Sequence, residues 1–189
     1  TLGVEAEAGS TGKCPPVTIR SDGVKNAEAS IQSTTSSQFA SGLALVAPCM
    51  PEGLALELTG TLVSTPYLEM TRSIIESFGG KCDLRNEREW HIPPTGYVSQ
   101  NYEIEPDASA ASYFAAAAAV TRGAVTLKGL GRDSMQGDIE FCTALEQMGC
   151  TVTWSSSSSS CPSITIQGHD LKGIDIDMNA FSDTAQTLS

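Results

Sequence analysis

Basic residues are scarce in this sequence, which has 11 Lys and Arg against 22 Asp and Glu over 189 residues and a formal net charge of −11. Proteins that bind nucleic acids in general need clustered Lys and Arg against the phosphate backbone. The charge balance therefore argues against nucleic acid as a general partner. Hydrophobic residues make up 40% of the chain and charged residues 17%, a composition that can bury a core and favours a globular protein.

Patterns for metal binding and for disulfides are also lacking. The six cysteines lie at positions 14, 49, 82, 142, 150 and 161, no two of them in C-x-x-C spacing, and only two histidines accompany them. We therefore expect no metal site. Cys82, Cys142 and Cys150 lie in or beside apolar patterns, which predicts buried free thiols and favours a reducing cytoplasm.

No apolar run reaches the roughly 18 residues of a membrane-spanning helix, so we expect no membrane partner. The first residues, Thr-Leu-Gly-Val-Glu-Ala, have neither the basic nor the apolar region of a signal peptide. The chain begins without Met, and residues 182–189 are typical of the first turns of a helix. We expect an internal fragment of a longer protein, with the missing N- and C-terminal segments of that protein as its partners.

What the sequence does contain is an internal repeat. Three pairs of residues are each 70 positions apart: Gly53 and Gly123, Ser64 and Ser134, and Gly79 and Gly149. Such a period is too long for one turn of a solenoid. Each repeat is therefore predicted to be a helix–strand–helix–strand–strand block, and the fold class to be α/β. The repeat restarts near Pro106, which predicts a domain boundary there.

Helices are predicted from about 37 to 46, 66 to 78, 108 to 120 and 135 to 148. Phe39, Leu43 and Val46 fall at i, i+4 and i+7, the spacing of one helical face. Strands are predicted as a pair at 16–20 and 27–32, and then at 54–58, 90–92, 102–104, 125–127, 151–154, 164–166 and 174–177. The serine run at 155–160 is predicted to form a hairpin tip.

Serine-rich segments precede two of these helices, Thr35-Ser36-Ser37-Gln38 and Ser64-Thr65-Pro66-Tyr67. Free backbone N–H groups and the helix dipole make such ends natural anion sites. Ordinary N-capping explains the same residues equally directly. Asp107 and Asp183 occupy similar places in successive repeats, where a carboxylate can either cap a helix or act as a general base.

Five motifs together resemble the EPSP synthase family of the shikimate pathway, and they follow that family's order. They are Cys14-Pro15-Pro16-Val17, Ser36-Ser37-Gln38-Phe39, Ser64-Thr65-Pro66-Tyr67, Asp107-Ala108-Ser109-Ala110-Ala111-Ser112-Tyr113-Phe114 and Ser134-Met135-Gln136-Gly137-Asp138. The resemblance implies a fold of two domains, each built from repeated βαβαββ units. It implies that residues 1–106 end the first enolpyruvyl transferase domain and that residues 107–189 form part of the second.

The resemblance also implies roles for individual residues. Ser36, Ser37 and Ser64 match the hydroxyls that hold the phosphate of shikimate 3-phosphate, and Gln38 matches a glutamine that contacts both substrates. Tyr67 matches the tyrosine near the shikimate ring and its carboxylate. Asp183 matches an aspartate that contacts the ring hydroxyls and is proposed to take part in proton transfer.

The implied reaction transfers the enolpyruvyl group of phosphoenolpyruvate to the 5-hydroxyl of shikimate 3-phosphate and releases phosphate, with no metal or organic cofactor. None of the eleven Lys and Arg lies inside the matched substrate motifs, so the family's basic residues are expected outside this chain. Two alternatives remain open. One is another enolpyruvyl transferase, such as the UDP-N-acetylglucosamine enzyme, and the other is a non-catalytic module of the same fold.

Overall fold

The computed structural model describes residues 2–9, 14–32, 36–62, 65–156 and 161–189. The chain forms two compact units. The first comprises Thr1–Leu62 with Thr71–Gln100, and the second comprises Val63–Met70 with Asn101–Ser189. Both units are mixed α/β, which confirms the fold class predicted from the repeat.

The strands are β1 (Glu5–Ala8), β2 (Val17–Arg20), β3 (Glu28–Gln32), β4 (Leu54–Thr59), β5 (Asp83–Asn86), β6 (Glu89–Ile92), β7 (Ala124–Lys128), β8 (Thr151–Trp154) and β9 (Ser163–Gln167). The α-helices are α1 (Gln38–Val46), α2 (Thr65–Ser77), α3 (Ala108–Thr121), α4 (Glu140–Gln147) and α5 (Ala185–Leu188). Short 3₁₀ turns cover Ala47–Cys49, Gly137–Ile139 and Asn179–Thr184.

The first unit contains a four-stranded sheet in the order β3-β4-β6-β5. Strand β3 runs parallel to β4, and the other two pairings are antiparallel. Leu54, Leu56 and Leu58 of β4 are buried while the residues between them are more exposed, because successive side chains of a strand point to opposite faces. In chain order, the elements β3-α1-β4-α2-β5-β6 form one βαβαββ repeat. A separate two-stranded sheet pairs β1 with β2.

The second unit has the order α3-β7-α4-β8-β9 and contains the three-stranded antiparallel sheet β7-β9-β8, which lacks a counterpart of the parallel strand β3 among the described residues. A buried cluster from this sheet, α3 and α4 forms its core and includes Phe141, Leu145, Ile164 and Ile166. The alanines of α3 allow a close approach: a Cβ added at Gly168 would lie 2.2 Å from the carbonyl oxygen of Ala118. The end of β9 therefore passes the helix at a distance that only glycine permits.

The predicted helices are confirmed to within a few residues, except for the start of the fourth. Its α-helical part begins at Glu140 rather than 135 and follows a 3₁₀ turn. Gln136 is extended, with ψ of 119°, so the chain cannot be helical before Gly137. The Ser134 hydroxyl oxygen, before this turn, accepts a hydrogen bond from the N–H of Gln136 at 3.2 Å.

Three strand predictions were wrong. Strands β2 and β3 do not pair with each other, since β2 pairs with β1 and β3 with β4. Residues 102–104 and 174–177 form no strand. Alternating polar and apolar residues do not guarantee a neighbouring strand, and Ile104 is 84% exposed rather than packed on a sheet. Of the serine run, residues 157–160 lie outside the described residues.

The cysteine prediction is confirmed at the level of burial. Cys82, Cys142 and Cys150 are buried, Cys14, Cys49 and Cys161 are exposed, and all six are free thiols. Burial in apolar surroundings, with a smaller contribution from the charge of Glu140, raises the pKa of Cys142 to about 12.

Within the described ranges, every helix is too short or too polar to cross a lipid bilayer.

Candidate functional site

The segment Ser36-Ser37-Gln38 leads into α1 in the first unit. The Ser36 hydroxyl oxygen accepts a hydrogen bond from the N–H of Gln38 at 3.1 Å. Ser37 occupies the N-cap position but makes no side-chain capping bond, and it is buried. The side chain of Gln38 is exposed. Ser36 thus satisfies one free N–H at the helix start, and Ser37 does not cap the helix through its hydroxyl.

Tyr67 lies in the first turn of α2, in the second unit. Its phenolic O–H donates to Oδ2 of Asp138 at 2.9 Å. The Ser109 hydroxyl, from the first turn of α3, donates to the same Oδ2. The preceding motif residue, Ser64, lies outside the described residues.

The sequence motifs did not predict a role in the site for Asp138. Its early position in a helical turn suggests only a favourable interaction with the helix dipole. In the structure, Asp138 is 3% exposed, and its Oδ1 has no hydrogen-bond partner among the described residues. A glycine directly before the carboxylate is the one local signal that could have marked this position, since it permits the chain to approach other segments closely.

Gly137 brings three segments of the second unit together. A Cβ added at Gly137 would lie 2.3 Å from the carbonyl oxygen of Ala180 and 3.1 Å from Pro66. Pro66 directly precedes Tyr67, and Ala180 lies three residues before Asp183. The absence of a side chain at 137 therefore lets the turn carrying Asp138 pack against the segments that carry Tyr67 and Asp183.

Gln136 fixes the same turn to the start of α3. Its Oε1 accepts from the N–H of Ala108 at 2.8 Å, and its Nε2 donates to Glu105 Oε2 at 2.9 Å and to the Pro106 carbonyl oxygen at 2.7 Å. Asp107 accepts from the N–H of Ala110 at 3.0 Å. Gln136 and Asp107 together satisfy two of the free N–H groups at this helix start.

Asp107 and Asp183 therefore differ, although the repeat places them alike. Asp107 is the N-cap of α3, as capping predicts. Asp183 lies within the 3₁₀ turn Asn179–Thr184 and is exposed; the N-cap of the following α5 is Thr184. Capping does not account for Asp183, whose carboxylate instead acts on Tyr67.

The environment of Tyr67 strongly raises the pKa of its phenol. Burial is the largest cause, followed by the hydrogen bond to Asp138 and its negative charge, and then by the charge of Asp183 and a hydrogen bond to it. Each of these effects disfavours the phenolate. The phenol therefore stays protonated at neutral pH and acts as a hydrogen-bonding group rather than as a base.

The structure thus brings two of the predicted site residues together, Tyr67 and Asp183, and adds Asp138 and Ser109 to them. Ser36, Ser37 and Gln38 belong to the first unit. Among the described residues, no group of three or more His, Cys, Asp and Glu side chains is placed to hold a metal ion.

A sequence model of the family described as EPSP synthase (3-phosphoshikimate 1-carboxyvinyltransferase) matches residues 1–189, the whole chain. The chain belongs to the EPSP synthase family. A relative from Histophilus somni, named 3-phosphoshikimate 1-carboxyvinyltransferase, is 40% identical over 177 residues, which cover 93% of this chain. Relatives of the same name from Actinobacillus pleuropneumoniae and Proteus mirabilis are each 38% identical over 177 residues, again 93% of this chain.

Solved structures agree on the fold. EPSP synthase from Acinetobacter baumannii matches 99% of this chain and 42% of its own, with a TM-score of 0.69 at 21% identity. The enolpyruvyl transferase NikO from Streptomyces tendae matches 99% of this chain and 45% of its own, with a TM-score of 0.65 at 14% identity. The chain therefore has part of the enolpyruvyl transferase fold. It spans 40% of the length of the three curated relatives.

Proposed function

We propose that the protein containing this chain transfers the enolpyruvyl group of phosphoenolpyruvate to the 5-hydroxyl of shikimate 3-phosphate and releases phosphate. The observation that carries the proposal is the match of the EPSP synthase family along all 189 residues. The neighbourhood of Tyr67 and the carboxylate of Asp183 also supports the proposal, since the resemblance to the family assigns both residues to one substrate.

In this proposal, Ser36, Ser37 and Ser64 donate hydrogen bonds to the phosphate of shikimate 3-phosphate. The start of α1 supports this role because its free N–H groups and dipole favour an anion. Gln38, whose side chain is exposed, contacts both substrates. Tyr67 contacts the shikimate ring region, and its raised pKa keeps the phenol neutral beside an anionic ligand.

Asp183 is the residue that we assign to proton transfer. An exposed carboxylate can reach a ring hydroxyl and accept its proton as the new C–O bond forms. Basic residues must neutralise the two anionic substrates, since charge-assisted hydrogen bonds are about twice as strong as neutral ones. We assign that task to the segments of the protein that complete the family's length, which are the proposed partners of this chain.

The division into two enolpyruvyl transferase domains, 1–106 and 107–189, also stays a proposal. A cytoplasmic location is proposed on the six free thiols, since disulfides are rare where the cytosol keeps thiols reduced. Neither proposal affects the assignment of the site residues.

The test uses the complete protein and a double Ser36→Ala, Ser37→Ala variant. We expect weaker binding of shikimate 3-phosphate in a calorimetric titration, because each hydrogen bond to a charged group contributes about 1.5–3 kcal/mol. Each lost hydroxyl should thus raise the dissociation constant about tenfold or more. Ser77→Ala is the matched control, since it removes an exposed hydroxyl of the same unit that bonds only within its own helix. Equal affinity in the double variant and the control would leave the two serines as helix-start residues without a ligand role.

A further inference from the structure

Asp138 is hydrogen-bonded to Tyr67, which we propose contacts the substrate. Asp138 itself is not among the residues that the resemblance to the family assigns to substrate binding. Oδ2 of Asp138 accepts from both Tyr67 and Ser109, which lie on different helices. Asp138 itself lies on a third segment, the 3₁₀ turn before α4. One buried oxygen atom therefore fixes the relative positions of two helix starts in the second unit.

The turn that carries Asp138 is itself held rigidly. Gln136 makes three hydrogen bonds to residues 105–108, and Gly137 packs against Pro66 and Ala180 at distances that leave no room for a side chain. Because the carboxylate cannot shift far, the phenol that donates to it has a defined position. A side chain held by a second residue in this way loses little freedom on binding a ligand, which favours affinity.

We propose that Asp138 is a positioning residue for the shikimate 3-phosphate site: by accepting the Tyr67 hydroxyl, it orients the Tyr67 ring beside Asp183. This inference rests on the proposed function. It explains why a carboxylate is buried here when no Lys or Arg of the described residues donates to it, an arrangement that is costly unless several donors compensate it. Ser109 is the second donor and supports the carboxylate from α3.

The experiment measures steady-state kinetics of the complete protein with Asp138→Asn, Tyr67→Phe and the double variant. Asparagine keeps the size of the side chain and can still accept a hydrogen bond, but it lacks the charge that strengthens that bond. We expect Asp138→Asn to raise KM for shikimate 3-phosphate about tenfold and to change KM for phosphoenolpyruvate by less than about twofold. Asp133→Asn, the same change at an exposed aspartate five residues earlier, is the matched control.

The double variant separates positioning from a purely structural role. If Asp138 acts through the phenol, Asp138→Asn should change KM by less than about twofold once Tyr67 is Phe, because interacting residues are not additive. Full multiplication of the two effects would overturn the proposal, and so would an Asp138→Asn enzyme that matches Asp133→Asn. A wild-type protein that binds no shikimate 3-phosphate would instead overturn the proposed function, and this inference with it.

Asp138→Asn is a change in a buried residue, so a second variant keeps the test decisive if that protein does not fold. Ser109→Ala leaves the carboxylate and the Tyr67 hydroxyl in place and removes only the other donor. We expect it to raise KM for shikimate 3-phosphate by a smaller factor in the same direction, and to lose this effect in the Tyr67→Phe background. An unchanged KM in folded Ser109→Ala, with Asp138→Asn unfolded, would contradict the proposal.

Discussion

At the scale of single residues, the exposed carboxylate of Asp183 makes the clearest prediction. In the complete protein, Asp183→Asn should lower turnover by about 10²- to 10⁴-fold if the carboxylate transfers a proton. Thermal unfolding should hardly change, since Asp183 is exposed and does not cap a helix. Phosphate release and the unfolding temperature, measured on the same preparation, check both parts.

Asp177→Asn is a suitable control for Asp183→Asn. It makes the same chemical change at another aspartate of the same unit, one whose carboxylate accepts from the nearby N–H of Asn179. Near-normal phosphate release by Asp183→Asn would remove the residue from the mechanism. A large loss of stability alongside the loss of turnover would contradict the prediction, because it would show that the interaction of Asp183 with Tyr67 is needed for folding.

At the scale of secondary-structure elements, the start of α3 provides a prediction about stability. Asp107→Ala removes the acceptor for the N–H of Ala110 and should lower the free energy of unfolding by about 1 kcal/mol, the usual cost of losing an N-cap. Asp107→Asn should retain most of that stability, because an asparagine side chain also caps helices well. Urea unfolding of the two variants checks this, and an equal loss in both would show that charge rather than capping matters at Asp107.

The elements also show how far the sequence alone can lead. The predicted helix ranges match α1 to α3 closely, because the spacing of apolar residues and the residues at helix starts are local signals. The local pattern also predicts strands at 102–104 and 174–177, where none forms, because pairing depends on a distant neighbour that no local pattern reveals. Strand β1, Glu5–Ala8, is exposed along its whole length, and its alternating Glu and Ala include no large apolar side chain that would mark a buried face. The proposed role of Asp138 depends on contacts with Tyr67 and Ser109, 71 and 29 positions away in the sequence. From the sequence alone, Asp138 is an ordinary acidic residue near the start of a helix.

At the scale of the whole molecule, the six thiols report on the folding of both units. Cys82 is buried in the first unit, and Cys142 and Cys150 are buried in the second. Alkylation with iodoacetamide at pH 8, followed by peptide mass mapping, should modify Cys14, Cys49 and Cys161 first. Cys142 should react slowest among the buried set, because its pKa of about 12 leaves little thiolate at that pH. In denaturant all six should react at similar rates, and fast native labelling of Cys142 would contradict the buried core of the second unit.

The hydrogen bond from Tyr67 to Asp138 also limits the polarity of whatever lies against that phenol. A phenolic hydroxyl has one hydrogen, and here that hydrogen points at a carboxylate inside the protein. The oxygen can therefore offer only lone pairs to a ligand, so the matching ligand atom must bring its own hydrogen. An alcohol satisfies this requirement, because its own hydrogen can point at a lone pair of the phenol. In the proposed function, Tyr67 therefore accepts a hydrogen bond from a hydroxyl of the shikimate ring and does not donate one to the substrate.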